Sequence, residues 1–104
     1  MEVKHLDNNT FKNFITENSI AVVDFYASWC GPCKMMAPEL EDFAMENSDV
    51  SVGKIDVDTA ETIANEFRIM SVPTLIYFKN GEVVDKSVGY LTKDEITEIV
   101  SKYK

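Results

Sequence analysis

No stretch of more than four consecutive apolar residues occurs in the chain, so no segment has the length of a membrane-spanning helix. The opening Met1-Glu2-Val3-Lys4-His5 lacks the apolar run of a secretory signal, which sets the expectation of a cytoplasmic protein. Basic residues are scarce: ten Lys and Arg face eighteen Asp and Glu, and the net charge of −8 disfavours nucleic acid and anionic lipid surfaces as partners. The acids are dispersed rather than gathered in a tail, so they read as a solvated surface. The single histidine, His5, has no companion at metal-ligand spacing and reads as an ordinary surface or strand residue. Linkers, repeats and low-complexity tracts are absent. With 104 residues, 45% of them apolar, the chain reads as one domain, 1–104, able to bury about two thirds of its unfolded surface around one core.

Cysteine is nearly absent as well. The two that occur, Cys30 and Cys33, lie inside Trp29-Cys30-Gly31-Pro32-Cys33, and a bond between them closes too short a loop to staple a fold. A Cys-X-X-Cys pair after an apolar strand and at the start of a helix is instead a site for reversible disulfide chemistry. Zinc is the competing use, but two thiolates supply half of a tetrahedral site, and completing it needs a second chain.

Exchange requires that one sulfur attack as a thiolate. Cys30 is placed at the mouth of a helix, where unpaired backbone N–H groups and the positive end of the macrodipole favour an anion. Pro32 fits the first helical turn, where its missing N–H is no loss. Gly31 is expected to let the backbone turn there. Cys33, on the same helical face but further inside, is expected to resolve the mixed disulfide that Cys30 forms.

Around this motif the periodicities alternate. A strand over 3–6 leads to a helix with Phe11, Phe14 and Ile15 on one face, and Ile20–Tyr26 reads as a strand buried on both sides. The helix after the motif, running to about Asn47, stripes Met36, Leu40, Phe43 and Ala44, with a kink expected at Pro38. Met35 and Met36 both read as core filler. A strand over 50–57 follows, then a helix capped by Asp58 with Glu61 and bearing Ala60, Ile63, Ala64 and Phe67. Thr74–Lys79 and Glu82–Val88 form a hairpin across Asn80-Gly81, and Thr92 with Glu95 caps a last helix striped with Ile96, Ile99, Val100 and Tyr103. The order β-α-β-α-β-α-β-β-α predicts an α/β fold: a mixed sheet of about five strands with helices on both faces.

Three further residues stand out. Asp24 interrupts the most buried strand, where desolvation should raise its pKa and make it a proton acceptor beneath Cys33. The competing reading pairs it with Lys54 on the next strand, and the two are compatible. Trp29 is either a half-buried core aromatic or an exposed apolar wall for a substrate chain. Pro73 reads most simply as a trans proline at the start of a strand.

Val23-Asp24-Phe25-Tyr26-Ala27-Ser28-Trp29-Cys30-Gly31-Pro32-Cys33-Lys34, then Val72-Pro73-Thr74, Phe78-Lys79-Asn80-Gly81 and Val88-Gly89, resemble the thioredoxin family over essentially the whole chain. The resemblance implies the thioredoxin fold, a central five-stranded mixed sheet flanked by four helices. It implies a protein disulfide oxidoreductase whose redox centre is the Cys30–Cys33 disulfide itself, with no other cofactor and no metal. It implies a cis Pro73 packed against the cysteines, a Val72 backbone that pairs with an extended client strand, and a contact rim of Trp29, Gly31, Pro32, Val72, Pro73 and Gly89. Asp24 with Lys54 becomes a buried proton relay. The implied partners are disulfide-containing client proteins and a separate thioredoxin reductase, flavin- and NADPH-dependent or ferredoxin-linked, with the chain acting as a monomer. Tyr26, Ser28 and Tyr90 depart from the family pattern, which bears on partner range rather than on the reaction. Two alternatives remain: an oxidant or isomerase on the same scaffold, and a docking module without catalysis.

Overall fold

A computed structural model describes residues 2–104. The elements are β1 (Lys4–Leu6), α1 (Phe11–Glu17), β2 (Ile20–Tyr26), α2 (Gly31–Glu46), β3 (Ser51–Asp56), α3 (Glu61–Glu66), β4 (Thr74–Lys79), β5 (Glu82–Val88) and α4 (Lys93–Ser101). The sheet order is β1-β3-β2-β4-β5, with β3 parallel to β1 and β2, and β4 antiparallel to β2 and β5. The expected five-stranded mixed sheet with four helices is therefore the observed one.

Strand alternation divides the core in two. Val22 faces Met36, Leu40 and Phe43 of α2 and Ile96 and Val100 of α4. Its neighbour Val23 faces the other side, where Phe11 and Ile15 of α1 pack with Phe25, Ile55 and Phe78. Phe11, Phe25, Phe67 and Phe78 form a ring cluster there, with centroids 5.3–6.0 Å apart. Asp24, two residues after Val22, points to the α2 side by the same alternation. That parity puts a carboxylate under the helix that carries the cysteines.

The Asn80-Gly81 turn has φ of 52° and 85°, the double positive φ that a two-residue hairpin needs, and the β4–β5 register shifts between Tyr77 and Phe78. Thr92 accepts from the Glu95 N–H at 3.2 Å while Glu95 accepts from the Thr92 N–H at 3.0 Å, the expected reciprocal cap. The expected cap at Asp58 does not form. α3 begins at Glu61 with Ala60 at its N-cap and no side-chain bond there, and Phe67 closes the helix rather than lying within it. Met35 is not core filler: it is 64% exposed while Met36 is sealed, because adjacent helix positions diverge by about 100°. α2 continues through Pro38 to Glu46.

Candidate redox site

β2 ends at Tyr26, and Ala27-Ser28-Trp29 carries the chain to Cys30, whose N–H donates to the Ala27 carbonyl at 3.2 Å. Cys30 is the N-cap of α2, with extended backbone, and its Sγ accepts the Cys33 N–H at 3.2 Å. Sulfur here occupies the place that a serine or aspartate oxygen fills in an ordinary cap, so one of the helix's unpaired donors is aimed at it. Pro32 lies in the first turn, as expected. Gly31 does not have the special backbone expected of it: its φ is ordinary for a helix start, and a Cβ placed there would meet nothing within 4 Å. What its missing side chain leaves is open surface beside the sulfurs.

Cys30 and Cys33 are joined as a disulfide with Cα atoms 5.3 Å apart. Cys33 is not the deeper of the two by exposure, since the residues are 4% and 5% accessible. Their neighbourhoods distinguish them. Cys30 Sγ lies 3.6 Å from the Val72 carbonyl oxygen, toward the loop before β4. Cys33 instead lines a cleft of about 190 Å³ together with Asp24, Tyr26, Ala37 and Lys54.

Asp24 is 3% exposed, and its Oδ1 has no hydrogen-bond partner among the described residues. Burial pushes its carboxyl up from 3.8 to about 7, and the Lys54 ammonium pulls the other way. Lys54 is its registered neighbour across the β2–β3 pair. The two form no ion pair; the Lys54 Nζ stands over the Tyr26 ring, 5.4 Å from its centroid. Burial also raises the Tyr26 hydroxyl, with the charges of Asp56 and Asp24 adding to the effect.

The Val72–Pro73 bond is cis, so the plain expectation of a trans proline gives way to the one carried by the resemblance. Pro73 is buried, Val72 packs against the sulfur pair, and the Pro73 carbonyl accepts the Gly89 N–H at 2.8 Å. Gly89 has φ of 100°, a conformation that disfavours other residues. Trp29 is 70% exposed, which removes the core-aromatic alternative. Its indole N–H donates to Asp58 Oδ2 at 2.9 Å. Trp29, Val57, Ile69, Met70 and Val72 line a second cleft of about 140 Å³, and Met70 is 94% exposed. Asp58 and Met70 were not anticipated as site residues; the one available signal was that an indole N–H at a surface needs an acceptor nearby. Among the described residues no three His, Cys, Asp or Glu side chains gather as a metal-ligand set, and His5 stands two strands away from β2.

A disulfide capping a helix at the carboxyl end of a central strand, beside a cis proline and over a buried carboxylate, defines a thiol–disulfide oxidoreductase. Residues 2–102 match the family model Thioredoxin. The chain is 40% identical over 99 residues to thioredoxin of Mycoplasmoides gallisepticum, covering 94% of this chain and 99% of that one. It is 44% identical over 102 residues to thioredoxin of Staphylococcus saprophyticus, covering 97% and 96%. A solved mutant thioredoxin from Halobacterium salinarum superposes with a TM-score of 0.92 at 35% identity, over 98% of this chain and 90% of that one. The chain belongs to the thioredoxin family. It reduces disulfide-containing substrates by dithiol–disulfide exchange and is returned to the dithiol by a reductase. No helix among the described residues is long and apolar enough to cross a membrane.

Proposed function

We propose that Cys30 is the attacking sulfur, Cys33 the resolving one, and Asp24, moderated by Lys54, the acceptor of the Cys33 proton. The observation that carries this reading is the Cys33 N–H aimed at Cys30 Sγ from the open end of α2, beside a buried carboxylate in the cleft that Cys33 lines. The Cys30 thiolate attacks one sulfur of the client disulfide, forming a Cys30–client bond and releasing the other client sulfur as a thiolate, which takes a proton from water. Cys33 then gives its proton to Asp24 and attacks Cys30 Sγ. The Cys30–Cys33 bond forms, the second client thiolate leaves, and two electrons have passed to the client. The two sulfurs suffice for this exchange, so the reading requires no bound cofactor.

The client approaches across Trp29, Gly31, Pro32, Val72, Pro73 and Gly89, with the Val72 backbone offering an edge for an extended segment. Trp29, held by Asp58, supplies an apolar wall. A flavin- and NADPH-dependent reductase and a ferredoxin-linked one would both meet this surface. The setting that suits a dithiol reductase is a reducing cytoplasm, with the protein working as a monomer on other proteins. The net charge of −8 supports proteins over nucleic acids and anionic membranes.

The test is a pair of substitutions with a disulfide-bonded protein substrate. Cys33→Ser should accumulate a stable mixed disulfide through Cys30, and Cys30→Ser should lose turnover and trap nothing. Trapping through Cys33 instead would reverse the assignment. A redox titration against glutathione separates the reductase from an oxidant on the same scaffold, since the reductase should have the lower potential of the two couples.

A further inference from the structure

Lys54 borders two separate spaces. One is the cleft at Cys33; the other, about 570 Å³, lies between β1 and α2 and is lined by His5, Glu41 and Met45 among others. No other residue lines both. The register of the sheet explains this arrangement. His5 is the registered neighbour of Lys54 on one side, and Asp24 is its neighbour on the other. Registered residues of adjacent strands present their side chains to the same face, here the face under α2. His5, Lys54 and Asp24 thus form a row that runs from exposed through half-buried to buried.

We infer that His5 is a positioning residue for the proton transfer at Cys33: the charge at position 5 sets, through the Lys54 ammonium, how firmly Asp24 holds its proton. The inference rests on the reading of Asp24 as proton acceptor and extends it to the solvent end of the row. Lys54 makes no ion pair among the described residues, and its contact with the Tyr26 ring holds it over no carboxylate. Its long stem leaves the ammonium free to move between the outer groove and the inner cleft. A cation at position 5 drives it inward, where it favours the Asp24 carboxylate. A neutral or anionic group there lets it move outward, toward Glu41.

The other charges at each end are few. His5 faces Lys54 from β3 and Glu41 from α2, with Glu2 and Lys4 flanking it in the chain. Asp24 faces Lys54 from β3 and Cys33 and Lys34 from α2, with Tyr26 also lining the cleft and Asp56 the registered neighbour of Tyr26. From β4 its registered neighbour is the apolar Leu75.

The test is a charge series at His5, an exposed edge-strand position: His5→Lys, His5→Gln and His5→Glu, each alone and combined with Lys54→Met. The readouts are Asp24 protonation, followed by carboxyl carbon NMR of the full oxidised chain, and the pH profile of client release from the Cys30 mixed disulfide. Two strand spacings, about 10 Å, separate positions 5 and 24, so the direct field of one unit of charge changes the Asp24 proton affinity by about twofold in a water-like dielectric, and relay through Lys54 should more than double that change. The affinity should rise in the order Lys, Gln, Glu, the release profile should move with it, and the spread should fall to less than half with Lys54→Met. An Asp24 titration identical in the three variants would overturn the inference, and so would a spread that Lys54→Met leaves intact. Thermal melting of each variant separates these outcomes from misfolding. Failure of the underlying reading shows elsewhere, as client release that Asp24→Asn leaves unchanged, and it would remove the inference as well.

Discussion

Asp24 ties the chemistry of the site to the stability of the fold. An acid whose folded-state pKa is raised is stable in its protonated form, so its contribution is complete below the unfolded value and is lost as pH rises. Here the window runs from 3.8 to about 7. Below it the group is protonated whether the chain is folded or not. Within it the unfolded carboxyl ionises while the folded one does not, and above it the full penalty of a buried charge remains. At about 1.4 kcal/mol per pH unit the penalty is at most about 4 kcal/mol. Asp24→Asn should therefore leave stability nearly unchanged near pH 4 and raise it by up to about 4 kcal/mol at pH 8, while slowing Cys33 resolution at neutral pH. Denaturant melts at the two pH values, run beside mixed-disulfide kinetics, check both halves. Equal gains at pH 4 and pH 8 would point to packing rather than to charge. The anomaly was visible in the bare sequence, because an acid among Val22, Val23 and Phe25 has no ordinary reason to be there. That Lys54 would be its registered neighbour without forming an ion pair was not visible, since the β2–β3 register and the pull of the Tyr26 ring both come from tertiary structure.

The elements show why some local signals succeed and others fail. Thr92 and Asp58 each precede a Glu by three residues, and only Thr92 caps a helix. At Thr92 nothing else competes for the hydroxyl. At Asp58 the carboxylate is engaged elsewhere, accepting the indole N–H of Trp29, twenty-nine positions away, while the Asp58 N–H donates to Asp56 Oδ1 at 2.8 Å. A long-range partner of this kind leaves no mark in the spacing of the segment. The same contrast separates Met36 from Met35, although there the stripe with Leu40 and Phe43 already pointed Met35 outward. The hairpin, the two-sided burial of β2 and the stripes of α2 and α4 were legible because each depends on residues within a few positions. α4 also packs Ile96 and Val100 against α2, so its N-terminus matters beyond its own turn. Thr92→Ala should lower stability by about 1 kcal/mol, and thermal melting should fall by about 4 °C or more for a chain of this size. Thr92→Ser should restore most of the loss. A melting point unmoved by Thr92→Ala would mean that packing alone holds the helix start.

For the molecule as a whole, the sheet order places β2 in the middle, so the redox pair sits at the carboxyl end of a strand supported by β3 on one side and β4 on the other. The apolar rim around it, Trp29 and Val72 above all, is a small patch on a protein of net charge −8. The principal extents are 30 × 28 × 21 Å. At about 0.01 M salt the screening length is about 30 Å, so a disulfide approaching the rim feels the charge of the entire molecule; at about 0.15 M it is about 8 Å, and only the nearest groups act. Lys34 and Lys54 then offset Asp56 and Asp58 locally, and the long-range repulsion of anions disappears. Salt should therefore act with opposite sign on two small disulfides of opposite charge. Between about 0.01 and 0.15 M, the rate constant for reducing oxidised glutathione, an anion, should rise a few-fold, and that for cystamine, a dication, should fall by a similar factor. Hydroxyethyl disulfide, which is neutral, sets the baseline and should change little. If all three respond alike, salt is acting on the thiolate or on the fold, and the negative surface has no part in selecting what reaches Cys30. If the two charged disulfides diverge, clients and reductase alike must bring either positive charge or an apolar contact strong enough to overcome the field, and Trp29 is placed to make that contact.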